Sequence, residues 1–448
     1  MTTTRTLLLG AALTLAACGP MGTDDGGTGG GGGATGGGAT GGGATGGGTG
    51  GGQGGGGGSG GGAMGGGTGG GATGGGGATG GGATGGGGAT GGGATGGGAT
   101  GGGGITPTPF PRVAATVGVL PLAANESTDI EVDSMGRFHV VTNFQGDPDG
   151  GVFYSVRELD GGWWSERIVT SVGFQSVGAG VKIELDSVER PHVAFTWADL
   201  PGNGLRTRLF YATREDAGWR TEEVEDAGYQ VSIFFGFELA NDVPHFGYRV
   251  RNALGPDGGL INHARWASRV GGAWTLESID TFDEASVATT VTVTSDGQPH
   301  VFYRQLDAGV QVTRHAARTS PGVWSREDIA QNGVVRVAAT HVGNDLHLLL
   351  AGAFMRRLNG VWVPIGSAAN NNPVLVAHPN GEVWDFSNLG SGNSRQLVTG
   401  RFVNGQHESA LDAGVLGVAF QGWDFDSTNG SFVGSIYNGT NVELVRLP

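Results

Sequence analysis

A short motif recurs along this chain: a polar turn rich in Asp, Asn and Gly, followed by a strand that carries a histidine near its start. Its clearest copy is residues 186–197, which read Asp-Ser-Val-Glu-Arg-Pro-His-Val-Ala-Phe-Thr-Trp. Further copies occupy residues 133–144, 241–249, 295–304 and 344–351, with a weaker one at 379–387. A repeat of about 40–50 residues with several strands per unit is typical of a β-propeller, which is the fold that we predict.

Each repeat is predicted to contain four strands. In the second unit these are residues 181–185, 191–197, 208–214 and 219–224. Apolar and polar residues alternate through these runs, and β-branched and aromatic types are common, as half-buried strands require. No ten-residue window carries an apolar stripe of helical period, so the folded region is expected to be all-β.

The spacing of the aligned histidines indicates the number of blades. By subtraction of their positions they are separated by 53, 53, 55 and 47 residues. They are His139, His192, His245, His300 and His347. Trp384 holds the same position in a sixth unit and residues 414–448 form a last one, which makes seven blades, with six as the alternative because the last two units are short. Residues 113–120 are expected to form a strand that closes the ring by pairing into the last blade.

The turn between strands three and four repeats a Gly–Trp pattern. Its copies are Asp160-Gly-Gly-Trp163, Asp216-Ala-Gly-Trp219, Gly271-Gly-Ala-Trp274, Pro321-Gly-Val-Trp324 and Asn359-Gly-Val-Trp362. Gly makes the turn, and the Trp is expected to pack beneath it and to be largely buried. The pattern resembles a degenerate Asp-box, the Ser-x-Asp-x-Gly-x-x-Trp turn of bacterial-neuraminidase-repeat propellers in the sialidase-like superfamily, over residues 127–365. The Ser is missing and the spacing is shorter, so generic propeller hairpins are the other interpretation; the resemblance implies a fold and not sialidase activity.

The N-terminus has the features of a secretory signal. Arg5 supplies a positive charge, and residues 7–17 form an apolar run that is shorter than the roughly 20 residues of a membrane-spanning helix. The run ends in Leu15-Ala-Ala-Cys18, which resembles the lipobox of bacterial lipoproteins. That resemblance implies cleavage after residue 17 and acylation of Cys18, the only cysteine in the chain. Gly19 stands where an inner-membrane retention signal would place Asp, so an outer-membrane or cell-surface location is expected.

Glycine accounts for 97 of the 448 residues, and it is concentrated in residues 26–104, which carry neither a charge nor an aromatic side chain. Such a segment has nothing to bury that could offset the entropy of ordering its backbone, so a disordered tether is predicted. The domains are therefore expected to be a signal peptide at 1–17, the lipidated Cys18 with its linker at 18–104, and the propeller at 105–448.

Several functional classes are disfavoured. The formal charge of −15, with a single lysine, argues against nucleic-acid binding. Equivalent positions in different blades point outward around a ring, so the aligned histidines are not expected to converge on a metal ion. No cofactor motif is predicted either. The glycine tether matches the glycine pattern of a dinucleotide-binding motif, but no strand precedes it and no helix follows it.

Blade geometry indicates which side of the disc carries function. The connections between strands two and three, and between successive blades, are long and share one side, and variable loops on a rigid scaffold concentrate function. The candidate ligand-binding residues on or beside that side are Arg249, Arg304, Trp197, Tyr229, Asp280 and Asp283. Sialidase-like enzymes use three arginines on the substrate carboxylate, and only Arg249 and Arg304 occupy matching strand ends here. We therefore expect a lipid-anchored binding or scaffolding module for a glycan or a protein, with an exo-glycosidase of sialidase type as the alternative.

Overall fold

The computed structural model describes sixteen stretches of the chain between residues 115 and 447. They are 115–120, 127–144, 150–170, 176–199, 206–225, 230–232, 234–254, 260–282, 289–307, 310–331, 337–350, 352–367, 371–389, 396–416, 420–437 and 441–447. The signal peptide (1–17), Cys18 and the tether (18–104) lie outside these residues and stay predictions. Tyr229 and Asp283 also lie outside them.

All of the regular secondary structure in the described residues is β-strand, as the alternating sequence pattern predicts. The first three four-stranded groups follow in chain order. Blade 1 is β2 (Thr128–Val132), β3 (Phe138–Phe144), β4 (Gly151–Arg157) and β5 (Trp163–Thr170). Blade 2 is β6 (Ser176–Leu185), β7 (Pro191–Asp199), β8 (Arg206–Glu215) and β9 (Gly218–Glu225). Blade 3 is β11 (Gly236–Ala240), β12 (Val243–Leu254), β13 (Leu260–Val270) and β14 (Ala273–Phe282).

Four further groups complete the set. Blade 4 is β15 (Thr289–Val293), β16 (Pro299–Asp307), β17 (Val310–Ser320) and β18 (Val323–Gln331). Blade 5 is β19 (Val337–Val342), β20 (Asp345–Leu350), β21 (Ala353–Leu358) and β22 (Val361–Ser367). Blade 6 is β23 (Asn371–Ala377), β24 (Val383–Leu389), β25 (Gln396–Val403) and β26 (Gln406–Leu416). Blade 7 is β27 (Phe420–Asp426), β28 (Ser431–Tyr437), β29 (Val442–Leu447) and the N-terminal β1 (Ala115–Val119).

The blades form a closed ring. The first strand of each blade packs against the first strands of its two neighbours, from β2 through β6, β11, β15, β19, β23 and β27 back to β2. Within a blade the strands pair antiparallel in sequence order. The two-residue β10 (Gln230–Val231) bridges β8 and β12, so blades 2 and 3 share one nine-stranded sheet. The chain is therefore a seven-bladed β-propeller, and the six-bladed alternative is wrong.

The ring closes through the first strand of the described chain. β1 pairs antiparallel with β29, with Ala115 opposite Arg446, as the predicted closing strand requires. Leu120 continues this contact, because its amide donates to the Val442 carbonyl at 2.9 Å and its side chain packs on Val442. One boundary differs from the predicted last unit at residues 414–448: the outer strand of blade 6 runs as far as Leu416, and the first strand of blade 7 is β27 (Phe420–Asp426).

The repeated turn and histidine are explained by local hydrogen bonds. In blade 2, Asp186 Oδ1 accepts from the amides of Val188 at 3.0 Å and Arg190 at 2.8 Å. Its Oδ2 lies 3.2 Å from His192 Nε2, and the other ring nitrogen of His192 bonds the Tyr211 hydroxyl. Asp133, His139 and Tyr154 repeat this arrangement in blade 1. These two histidines therefore fasten a turn to its own blade.

The turn tryptophans connect neighbouring blades. Trp219 of blade 2 donates its indole N–H to Glu166 of blade 1 at 2.8 Å, and Arg214 reaches the same carboxylate at 2.6 Å. We call this arrangement an interblade clamp. It recurs as Arg318 and Trp324 on Glu277, and as Arg357 and Trp362 on Glu327. The tryptophans are partly buried, and the ring of Trp219 packs against Tyr154 of blade 1, so its packing partner is the neighbouring blade.

Candidate functional site

A cavity of about 440 Å³ lies at the centre of the ring, lined by residues from the first strands of all seven blades. We call it the central channel. The first strands run from the side of the long connections, the long-loop side, towards the side of the tight turns, the short-turn side. Asp129 and Lys182 therefore lie nearer the long loops, and Glu131 and Glu184 lie two positions deeper along their strands.

The channel wall is acidic. Five carboxyl groups line it against one lysine, Lys182, which is the only lysine in the chain. The carboxyl groups are those of Asp129, Glu131, Glu184, Glu238 and Asp424. The three glutamates hold equivalent places, because each pairs across to an aligned histidine of its own blade. The repeat therefore builds a partial ring of glutamates around the axis.

Burial between the blades and repulsion from neighbouring carboxyl groups raise the pKa values of this cluster. Burial, followed by the charges of Asp424 and Glu184, raises the pKa of Glu131 well above its usual range. Burial and the charge of Glu238 do the same to the pKa of Glu184. Burial raises the pKa of Asp424 to about 6 and that of Glu238 to about 7. The side chain of Glu131 also hydrogen-bonds Asp424, which partly opposes the rise in the pKa of Asp424.

Main-chain and basic groups orient these carboxyls. Asp424 Oδ2 accepts from the Val132 amide at 2.7 Å, and Glu238 Oε1 accepts from the Val293 amide at 3.0 Å. Lys182 Nζ lies 3.5 Å from Asp129 Oδ2, so one carboxylate is partly compensated. His341 Nδ1 is 3.8 Å from Glu238 Oε1, but burial lowers the pKa of this histidine and favours its neutral form.

The chemistry available in the channel is hydrogen bonding and proton exchange. Fixed carboxyl oxygens accept hydrogen bonds from hydroxyl or amino groups, and Trp423 and Phe235 add aromatic surface to the same wall. Within the described residues, no three His, Cys, Asp or Glu side chains are arranged to hold a metal ion. The same residues include no helix with the length and hydropathy needed to span a bilayer.

The two predicted arginines lie in successive blade interfaces. Arg249 shares its pleat face with Gly247, which backs onto Thr290 of blade 4. Arg304 shares its face with Phe302, whose ring packs on the first strands of blade 5. Burial lowers the pKa of both guanidinium groups, that of Arg249 to about 10 with a further contribution from Arg251. Arg249 and Arg304 therefore lie in different blade interfaces.

Two more predicted residues have structural partners. Trp197 is buried in the apolar cluster between blades 1 and 2, with its ring edge-on to Phe210. Asp280 accepts hydrogen bonds from Tyr303 at 2.9 Å, Arg314 at 2.8 Å and Arg326 at 2.9 Å, which hold its pKa below the usual range although burial opposes them. Asp280 is on the outer strand of blade 3, away from the central channel.

Sequence reasoning missed the channel glutamates, although a signal for them was present. Strand one reads Ile-Glu-Val at 130–132, Ile-Glu-Leu at 183–185 and Phe-Glu-Leu at 237–239. A glutamate between large apolar residues, repeated at one position in three units, is unusual for a strand that is covered on both faces. The alternation was interpreted only as evidence for strands.

Comparison with known proteins adds a likeness of architecture. No family model matches the chain, and no curated protein sequence matches it. A Penicillium chrysogenum alpha-L-arabinanase aligns over 76% of this chain and 98% of its own, at 11% identity and a TM-score of 0.44. A Hadza microbial sialidase aligns over 71% of this chain but 64% of its own, at 9% identity and a TM-score of 0.43. A chain of the mitotic checkpoint complex reaches a TM-score of 0.47 at 11% identity, covering 75% of this chain and 91% of its own.

These neighbours differ in what their names describe, and their identities and TM-scores are too low to assign a family or an activity. The seven-bladed architecture is established by the closed ring of sheets itself.

Proposed function

We propose that this protein is a surface-anchored lipoprotein whose propeller binds a glycan, with part of the ligand inserted into the central channel. The observation that carries the proposal is the partial ring of Glu131, Glu184 and Glu238 around a cavity of about 440 Å³. Such a volume suits a small ligand or the end of a longer chain. Sugar hydroxyl and amino groups are donors, and the wall offers mainly acceptors.

Display at the surface rests on the sequence. The lipobox-like residues before Cys18 support an acylated N-terminus, and the composition of the glycine-rich segment supports a tether between the anchor and the propeller. Three acyl chains, as the lipoprotein resemblance implies, exceed the two signals that stable anchoring needs. A module of this kind would meet ligands outside the cell envelope.

The test is ligand binding by the full-length protein in detergent, first on a glycan and peptidoglycan array and then by calorimetry. Replacing Glu184 and Glu238 by Gln keeps their size but removes half of their acceptors and their ability to ionise against a ligand. Because each lost hydrogen bond costs about 0.5–1.5 kcal/mol, the two replacements together should raise the Kd about tenfold. Glu215→Gln, at the exposed end of β8, is the matched control and should bind normally. Full affinity in the double variant would refute the proposal, and a protein ligand with no glycan bound would correct its ligand class.

A second function is favoured by one observation, the contact between Glu131 and Asp424 in the same channel as Glu238, where the pKa of Asp424 is raised to about 6 and that of Glu238 to about 7. Glycoside hydrolysis uses one protonated and one ionised carboxyl group in the same site. The described lining of the channel contains no arginine, so a sialidase-type carboxylate clamp has no counterpart there. Turnover of chromogenic glycosides that Glu238→Gln abolishes while binding persists would establish an enzyme.

A further inference from the structure

A second polar site lies outside the central channel, on the face of blade 3 that turns towards blade 4. Arg249 and Arg251 stand two residues apart on one pleat face of β12, opposite Ala264 and Asn262 of β13. This end of β12 is on the long-loop side. The two guanidinium groups therefore project into the same interface from adjacent positions.

Neither arginine has a compensating charge in the described part of the chain. Arg249 is only 9% exposed, and its Nε has no hydrogen-bond partner among those residues. The Nε of the half-buried Arg251 is also unpartnered there. Neither residue forms an ion pair with a described carboxylate, and the like charge of Arg251 helps burial to lower the pKa of Arg249 to about 10.

The nearest acidic candidate on this face is already occupied. Asp280 lies two strands away from Arg249, because Ala264 pairs with both residues from opposite sides. Its carboxylate is bound by Tyr303, Arg314 and Arg326, and it makes no ion pair with Arg249. Asp280 therefore does not balance the positive charges of Arg249 and Arg251.

The pair contrasts with two arginines on the opposite face of blade 3. Arg265, on the opposite face of blade 3, pairs with Glu225 at 2.7 Å, and Arg269 pairs with Glu222 at 2.8 Å. An unpaired buried charge costs several kcal/mol, and a group held at such a cost is a candidate for function. A planar guanidinium pair matches the oxygens of a carboxylate, phosphate or sulfate.

We propose that Arg249 and Arg251 form an oxyanion-binding subsite between blades 3 and 4, separate from the central channel. It would hold an acidic group of a ligand that lies across the long-loop side. The anion supplies the charge and the acceptors that the two arginines lack. This proposal does not depend on what occupies the central channel, so either one can fail alone.

The test uses the full-length protein in detergent and four sodium salts at matched ionic strength: chloride, acetate, phosphate and sulfate. A bound anion should raise the thermal midpoint saturably, by about 2–4 °C at roughly ten times its Kd. Arg249→Gln and Arg251→Gln should each weaken anion binding in calorimetry by about tenfold or more. The salt that gives the larger shift distinguishes a carboxylate from a phosphate or sulfate ligand.

Two matched variants make the outcome decisive. Arg220→Gln removes the same charge from an exposed arginine that is already paired with Glu215, and it should leave the anion response unchanged. Arg249→Met should not lower the midpoint in chloride, because it removes an unpaired buried charge. An equal response to all four salts, an anion response that survives in Arg251→Gln, or a large loss of stability in Arg249→Met would each overturn the subsite.

Discussion

At the scale of single residues, the central channel is lined by carboxyl groups whose pKa values lie above their usual range. Glu238 has its carboxyl group on a low-dielectric wall, with one amide donor and a neutral histidine nearby. Burial therefore raises its pKa to about 7. Proteins keep such groups where a ligand will later compensate them, since an ionised carboxyl there opposes folding.

The raised pKa of Glu238 predicts how stability changes with pH. The folded protein holds this proton up to about pH 7, whereas the ordinary value is 4.5, so the folded state binds more protons between those limits. Stability is thus favoured below pH 4.5 and falls as the pH rises through 7. Glutamine at this position cannot ionise, so Glu238→Gln does not lose this stability as the pH rises. The thermal midpoint of the variant should therefore rise relative to that of the wild type from pH 5 to pH 8, by the equivalent of about 1–3 kcal/mol.

Thermal scans at four pH values check this, with Glu215→Gln as the control that should run parallel to the wild type. Parallel curves for Glu238→Gln would mean that the group is ionised throughout and that the channel is well hydrated.

At the scale of the element, each blade is a four-stranded meander that cannot bury both of its faces alone. Apolar clusters fill the spaces between blades, as where Val141 and Tyr154 of blade 1 meet Ile183 and Phe195 of blade 2. The interblade clamps fasten the outer strands, which are furthest from the axis. Inner packing and outer clamps together hold neighbouring sheets in one orientation.

The clamp on Glu277 should be the most sensitive of these. Its carboxylate is 8% exposed and accepts from Arg318 at 2.7 Å, Trp324 at 2.9 Å and the Gly322 amide at 3.0 Å. Burial opposes ionisation, but these three donors hold the pKa of Glu277 below its usual range. Glu277→Ala leaves them without an acceptor, so we expect a loss of about 2–3 kcal/mol.

Chemical denaturation of the full-length protein measures this loss. The control, Glu215→Ala, removes an exposed partner of Arg220 and should change stability by less than about 1 kcal/mol. Equal effects would show that the clamp contributes no more than a surface ion pair.

Sequence reasoning predicted the elements better than their partners. The Asp–His turn and the Gly–Trp turn are local, so their spacing in the chain is their spacing in the blade. The partner of Trp219 is Glu166, 53 residues earlier, and no local pattern joins them. Which blade Arg249 faces depends on which pleat face of its strand meets that blade, and the local sequence does not determine this. Trp197 also lies near the end of its strand, yet it is a core residue between blades 1 and 2.

At the scale of the whole molecule, the ring explains why the blade number was ambiguous in the sequence. Blades 6 and 7 lack the aligned histidine but keep four strands each. What they retain is apolar alternation, which is enough to fill an interface between two other sheets. Packing against neighbours on both sides tolerates a weaker local signal.

The proposed anchor predicts where the whole molecule resides. Cys18 is the only cysteine in the chain, so Cys18→Ser should abolish acylation. In cell fractionation and detergent partitioning, the variant should leave the membrane fraction or accumulate as an uncleaved precursor. Ser59→Ala, a replacement within the linker, is the control and should partition as the wild type does. Unchanged partitioning of the cysteine variant would exclude a lipid anchor at this residue.

The pairing of β1 with β29 has a consequence for how the molecule is made. Residues 115–119 can pair with residues 442–447 only after the latter have been synthesised. Ring closure therefore follows synthesis of nearly the whole domain. Contacts over such separations form slowly. Until they form, the edge of β29 is an unpaired strand that can recruit another chain. Blade 7 is therefore the point at which a chaperone that shields sheet edges would matter most during maturation.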